Sequence, residues 1–307
     1  MRPSPSPPDR IVLPGVAQAL RDSQRLISGC VASLSADDPG YFGPRSVSWR
    51  LFSHSSYAVS GVAAVLVQAL HPVAMAAVDE HSAFRSDAWR RAHLTADYVL
   101  TITFASREVA DKAAARVRAI HERITGTDPA TGAVRRADEP ELLLWVHSVH
   151  TEYALRGYER FGGRLSAADA DRFLLEQVAA AALVGLDRAS VPATRAELLD
   201  YIASVPGLHV SGPAARLALM LGHARMPPTM RPFWALHLAG AAALLPEPVR
   251  KAYPLPRWLP SGRIAEAGIA AAIGAIDLGY RLFRPVRRAR ARLRAVEREL
   301  AARSGPA

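Results

Sequence analysis

The sequence predicts an all-α fold, built as a single helical domain, and three observations carry that prediction. Ala, Leu and Arg dominate the chain, and all three have high helix propensity. Runs that alternate β-branched with polar residues, the mark of half-buried strands, are scarce. Apolar residues instead recur at helical spacing in successive segments, divided by Gly, Pro and capping residues. With 307 residues, 50% of them apolar and 21% charged, the chain can bury a sizeable core, which excludes a wholly disordered protein.

Residues 1–12, in which Pro3, Pro5, Pro7 and Pro8 alternate with serines, read as a disordered, polyproline-like tail. No apolar run follows Arg2, so no secretory signal and a cytoplasmic location are expected. Residues 13–280 read as one domain, with helices predicted over 14–28, 57–79, 88–103, 107–124, 138–161, 167–186, 194–203, 212–222, 231–244 and 262–281. A further helix is predicted over 285–302.

The stretch 51–78 carries no Asp, Glu, Lys or Arg and is long enough to cross a bilayer, which takes about 20 residues. His71-Pro72 interrupts it, and proline disfavours helix at the residue before it. Two buried helices, 57–70 and 72–79, meeting at a kink are expected instead. Ser106, Ser166 and Ala193-Thr194 stand at predicted helix starts, where side-chain oxygens can accept from free backbone N–H groups. Thr125-Gly126-Thr127-Asp128-Pro129 ends the helix that begins near Arg107. The prolines at 246, 248, 254, 256 and 260 make an irregular connection.

The net charge is +10, carried almost wholly by arginine, with Lys112 and Lys251 the only lysines. A basic balance invites a nucleic-acid or membrane reading, so its distribution matters. Residues 281–307 hold nine arginines and two glutamates, a net of +7, which leaves +3 for residues 1–280. In that tail Leu282, Val286, Ala289, Leu293, Val296 and Leu300 form one apolar stripe opposite an arginine-rich face. Such a helix can pack its stripe on the body of the protein or lie on anionic lipid, so peripheral membrane contact stays open. No helix-turn-helix spacing or zinc finger accompanies it, and no nucleic-acid partner is expected. The lone cysteine, Cys30, excludes an internal disulfide and covalent haem attachment, and reads as a small buried hydrophobe.

The chain has no H-E-x-x-H helix, no G-x-S-x-G elbow, no G-x-G-x-x-G loop and no Glu-x-x-His pair for a di-iron bundle. What remains is histidine and arginine on helices. Arg91 and Thr95 stand four apart, on one helix face, where a guanidinium and a hydroxyl can donate to one ligand. An ion pair at Arg91 and a back-bonded hydroxyl at Thr95 would account for the same residues. His147 and His150, three apart, share a face like a metal pair but have no third ligand at matching spacing.

An ordered series runs through the middle of the chain: Leu70-His71-Pro72, His81-Ser82-x-Phe84, Arg91-x-x-x-Thr95, Thr103-Phe104, Val117 before Ile120-His121, Gly126, and Trp145-Val146-His147. Over roughly residues 45–250 this series resembles the oxygenase family that groups the rubber oxygenases (latex-clearing proteins) with the fungal MpaB-type oxygenases. The resemblance implies a globin-like helical core holding one non-covalent haem b. It implies His121 as the metal ligand on iron, with Arg91 and Thr95 on the opposite, catalytic side. His71, His81 or His147 would take the ligand role if His121 does not. Leu94 stands where rubber oxygenases carry a lysine that can cap the iron, so that capping cannot occur here. Asp79 and Glu80 are the nearest upstream acids for a catalytic base.

The resulting expectation is a haem b-dependent oxygenase that takes dioxygen or peroxide and a small apolar or lipid-like substrate; rubber itself is not the expected substrate. The alternatives are a haem-binding protein without turnover and a helical protein that binds anionic membrane through its C-terminal helix.

Overall fold

The computed structural model describes residues 27–80, 88–223, 228–256, 258–259, 262–282 and 293–299, without the side chains of 88–93 and 280–282. Helices dominate, as expected for an all-α chain. In order they are α1 (Val47–Phe52), α2 (Ser56–Gln68), α3 (Pro72–Glu80), α4 (Ala88–Phe104), α5 (Arg107–His121), α6 (Pro140–Phe161), α7 (Ala167–Leu183), α8 (Arg195–Ser204), α9 (Gly212–Gly222), α10 (Arg231–Leu244), α11 (Glu247–Ala252) and α12 (Arg263–Leu282). Between α5 and α6 lies a short antiparallel hairpin of β1 (Thr125–Thr127) and β2 (Val134–Arg136), the only sheet among the described residues. The first tail and His81 lie outside the described residues, as does most of the final segment.

The charge-free stretch folds as expected. α2 and α3 break at Ala69–His71 and meet at a bend of 104°. His71 starts the second helix, and its ring Nδ1 accepts from the backbone N–H of Ala74 at 3.4 Å. No single helix among the described residues is long and apolar enough to cross a membrane. α2 instead lies in the protein's main core, where Val59, Ala63 and Leu66 are fully buried against Trp145 and Val149 of α6. The two helices approach so closely at Gly157 that any side chain there would collide with Ser60. Trp145 Nε1 donates to the Gln68 carbonyl at 3.0 Å, and Gln68 Nε2 returns a bond to the Val146 carbonyl at 2.9 Å.

Leu217 and Ala218 of α9, Ala239 and Ala241 of α10, and Ile269 and Ile273 of α12 complete this core. A second cluster joins Trp49 and Phe52 of α1, Leu100 and Phe104 of α4, Leu155 of α6 and Phe173 of α7. Cys30 is buried there, as expected of a small hydrophobe. Residues 293–299 are helical, and Val296 is buried in the same cluster with Leu293 packed against it. In this stretch the apolar stripe of the C-terminal helix faces the body of the protein.

The helix starts show which local signals act alone. Ser166 accepts from the Asp169 N–H at 3.0 Å, and Thr194 with Glu197 forms a reciprocal capping box. Ser106 occupies the N-cap of α5 without a side-chain capping bond. A distant carboxylate takes that role: Asp38 accepts from the N–H groups of Arg107 at 2.8 Å and Glu108 at 3.3 Å. At the other end of the domain, Asp277 of α12 is buried 3.7 Å from His54 Nε2 and accepts from the Ser55 N–H at 3.2 Å. This contact ties the α1–α2 corner to the last long helix.

Candidate active site

Ala105-Ser106 is the whole link between α4 and α5, so the chain reverses there and the two helices run side by side in opposite directions. Tyr98 of α4 packs against the cluster that holds Ala110 and Ala114 of α5. Burial pushes the Tyr98 phenol up, and the nearby Arg118 guanidinium opposes that shift. Arg118 itself donates to the Leu183 carbonyl of α7 at 2.5 Å. Thr95 lies three residues before Tyr98, and His121 lies three residues after Arg118. Thr95 lies near the middle of α4, and His121 is the last residue of α5, at the end remote from the link. Arg91 lies one further turn along α4, where its backbone is helical; its side chain is outside the described residues.

Thr95 and its neighbour Leu94 are exposed, and Leu94 is the bulky apolar residue of this open end at 54% exposure. His121 is half-buried as the last residue of α5 and lies close enough to Asp138 to act on its carboxylate. The hairpin that follows is fixed to α3. Gly126 of β1 lies so close to Ala77 that a Cβ there would meet the Ala77 Cα at 2.7 Å. Glu80 accepts from the Thr127 N–H at 2.9 Å. Glu80 is therefore engaged with the hairpin, and Asp79 with Arg216 at 2.8 Å, so neither of the upstream acids considered as bases is offered to the Thr95 side by these bonds.

A second group of polar side chains lies where α6 meets α1, α2 and the second core cluster. His150 stacks on Phe52 at 5.9 Å between ring centroids and meets Tyr57 edge-on at 5.9 Å. Tyr57 and Tyr98 pack against the same cluster. Burial pushes the His147 imidazole down to about 3, with His150 adding to it, and pushes His150 down to about 4. Burial also pushes the Tyr57 phenol up. His150 Nε2 and Tyr98 Oη are buried without a hydrogen-bond partner among the described residues. Unpartnered polar atoms in a dry surrounding cost free energy, about 1–3 kcal/mol each. They are retained where they meet a ligand or an ordered water.

His71, with Nδ1 engaged as a helix cap and its ring 6.0 Å from Trp145, is held on the opposite side of α6. Sequence reading singled out Thr95, His121, His147 and His150 but missed Tyr57, whose part depends on a ring contact across two helices. Among the described residues, no three His, Cys, Asp or Glu side chains converge to hold a metal ion.

Residues 49–276 match the family described as the ER-bound oxygenase mpaB/B'/rubber oxygenase catalytic domain, and the chain belongs to that family. Its class is therefore that of an oxygenase catalytic domain. Comparisons with curated proteins and with solved structures returned no match.

Proposed function

We propose that the protein is a haem b-dependent oxygenase acting on a small apolar or lipid-like substrate, with dioxygen or peroxide as the oxidant. The observation that carries this reading is the match of residues 49–276 to the mpaB/rubber oxygenase catalytic domain. A non-haem iron site takes several protein ligands, usually two histidines and a carboxylate. A haem needs one axial histidine, because the macrocycle supplies the other ligands. The family resemblance assigns the metal to one histidine, His121, which fits the second requirement.

His121 would hold the iron through one ring nitrogen, its orientation set by the helix end and by the Asp138 side of the hairpin. When bound, the haem supplies the redox chemistry that activates the oxidant. Thr95 and Arg91 would donate hydrogen bonds toward the oxidant, steadying negative charge that develops on oxygen. The apolar surroundings of Phe52, Tyr57 and Tyr98 would exclude water and receive the apolar body of the substrate.

The test is an absorption spectrum of the purified protein, or of the protein titrated with haemin. A Soret band that is lost or shifted in His121→Ala is expected. A colourless protein that binds no haemin overturns the reading. Haemin binding without oxygen-dependent consumption of any lipid-like compound would make it a haem-binding protein instead.

A further inference from the structure

Three enclosed polar atoms without a hydrogen-bond partner among the described residues gather at one apolar cluster: Trp49 Nε1, Tyr98 Oη and His150 Nε2. They come from three helices. Trp49 of α1 belongs to the cluster, and Tyr98 of α4 packs against it. His150 of α6 stacks on Phe52, another member. Trp49 and Phe52 stand three apart on α1, near one face of the helix. Trp49 meets Phe104 of α4 edge-on at 4.7 Å between ring centroids, while Phe52 meets His150. α1 thus touches α4 on one side and α6 on the other, and the three unpartnered atoms border the region where these helices meet. Tyr57 of α2 adds an edge-on ring to both Phe52 and His150.

The surroundings are apolar and carry no net charge. Burial alone shifts His150 and Tyr57, with no charged group contributing, so His150 is neutral at pH 7, as is His147 one turn before it. The described cations beside these helices are engaged elsewhere. Arg50 pairs with Asp169 at 2.9 Å, Arg118 donates to the Leu183 carbonyl, and Arg156 donates to Glu152 at 2.5 Å. Glu152, two residues past His150, is turned to Arg195 of α8 at 3.5 Å. Arg91 stands seven residues before Tyr98 along α4, about 10 Å away in backbone rise.

This donor set defines what can satisfy it. An indole N–H only donates, a phenol donates and accepts, and a neutral imidazole nitrogen does one or the other by tautomer. A hydroxyl group accepts from the first and exchanges bonds with the other two. An ionised carboxylate would lose its hydration and meet no opposite charge here, which is strongly unfavourable. A pure hydrocarbon would leave all three atoms unsatisfied.

We infer that Trp49 Nε1, Tyr98 Oη and His150 Nε2 set substrate specificity, selecting a neutral lipid-like molecule that carries a hydroxyl group, a long-chain alcohol rather than an ionised fatty acid. The inference rests on the proposed function only in taking this region as the place of the substrate.

The experiment is calorimetric titration of the full-length protein with decan-1-ol, decane and decanoate at pH 7.5, where decanoate is ionised. Decan-1-ol is expected to bind at least about tenfold more tightly than either of the others. Tyr98→Phe and His150→Phe keep the rings and remove only the polar atoms. Each should weaken decan-1-ol about tenfold and leave decane unchanged, whereas a change in packing would move both ligands together. Wild-type protein that binds decanoate or decane as tightly as decan-1-ol overturns the inference, as does one that binds no decan-1-ol. Equal decan-1-ol affinity in wild type and both variants also overturns it. The Soret band of the same samples separates the two readings. Selective alcohol binding by a protein that takes up no haemin keeps this inference and removes the haem, and haem uptake without alcohol selectivity does the reverse.

Discussion

Gly126 lies against Ala77 so closely that a Cβ on the glycine would stand 2.7 Å from the Ala77 Cα. The contact joins the hairpin after α5 to the helix after the charge-free bend. It thereby fixes the chain five residues beyond His121. Gly126→Ala forces backbone apart, and overpacking of this kind costs about 1–3 kcal/mol. A lower thermal midpoint is expected, together with weaker haemin binding as the His121 end of α5 shifts. An unchanged midpoint would show that the hairpin yields freely.

His121→Ala should abolish or shift the Soret band while leaving the far-ultraviolet circular dichroism intact. The side chain is half-buried at a helix end, where truncation removes little core packing. Haemin titration followed by absorbance separates loss of the ligand from loss of the fold.

Arg91→Ala and Thr95→Val should leave haem content unchanged and weaken the binding of added azide. Each lost donor is expected to cost about tenfold in affinity, or about 1.4 kcal/mol. Equal azide affinity in all three proteins would place both residues away from the oxidant.

The half-buried histidines of α6 predict an acid-sensitive fold. His147 and His150 have folded-state values of about 3 and about 4, below the ordinary 6.5. Between those values and 6.5 the unfolded chain binds more protons than the folded one. Stability is therefore full above about pH 6.5 and falls as the pH drops toward 4. His150→Phe should flatten that decline and, by removing an unpartnered Nε2 while keeping the stack on Phe52, leave stability at neutral pH equal or higher. Urea midpoints measured across this pH range check both statements.

Much of the architecture was legible because its causes are local. The His71-Pro72 break, the Ser166 cap and the Thr194–Glu197 box each need only residues a turn apart. Arg91 and Thr95 were legible as one face because helical spacing alone fixes that. The cap of α5 was not: its acceptor is Asp38, far upstream in sequence, and Ser106 at the expected position makes no capping bond. Tyr57 was missed for the same reason, since its place beside His150 depends on how α2 and α6 cross.

The Asp38 cap has a mechanical consequence. Burial raises its carboxyl, but backbone N–H donors, two of them at the start of α5, outweigh that and hold it below the usual carboxylate range. α5 spans 15 residues, about 22 Å, with this cap at one end and His121 at the other. The Gly126–Ala77 contact grips the chain just past the imidazole. α5 is thus a strut clamped at both ends. If either clamp is released, the strut becomes a lever, and a tilt of about 5° over that length swings its free end by about 2 Å.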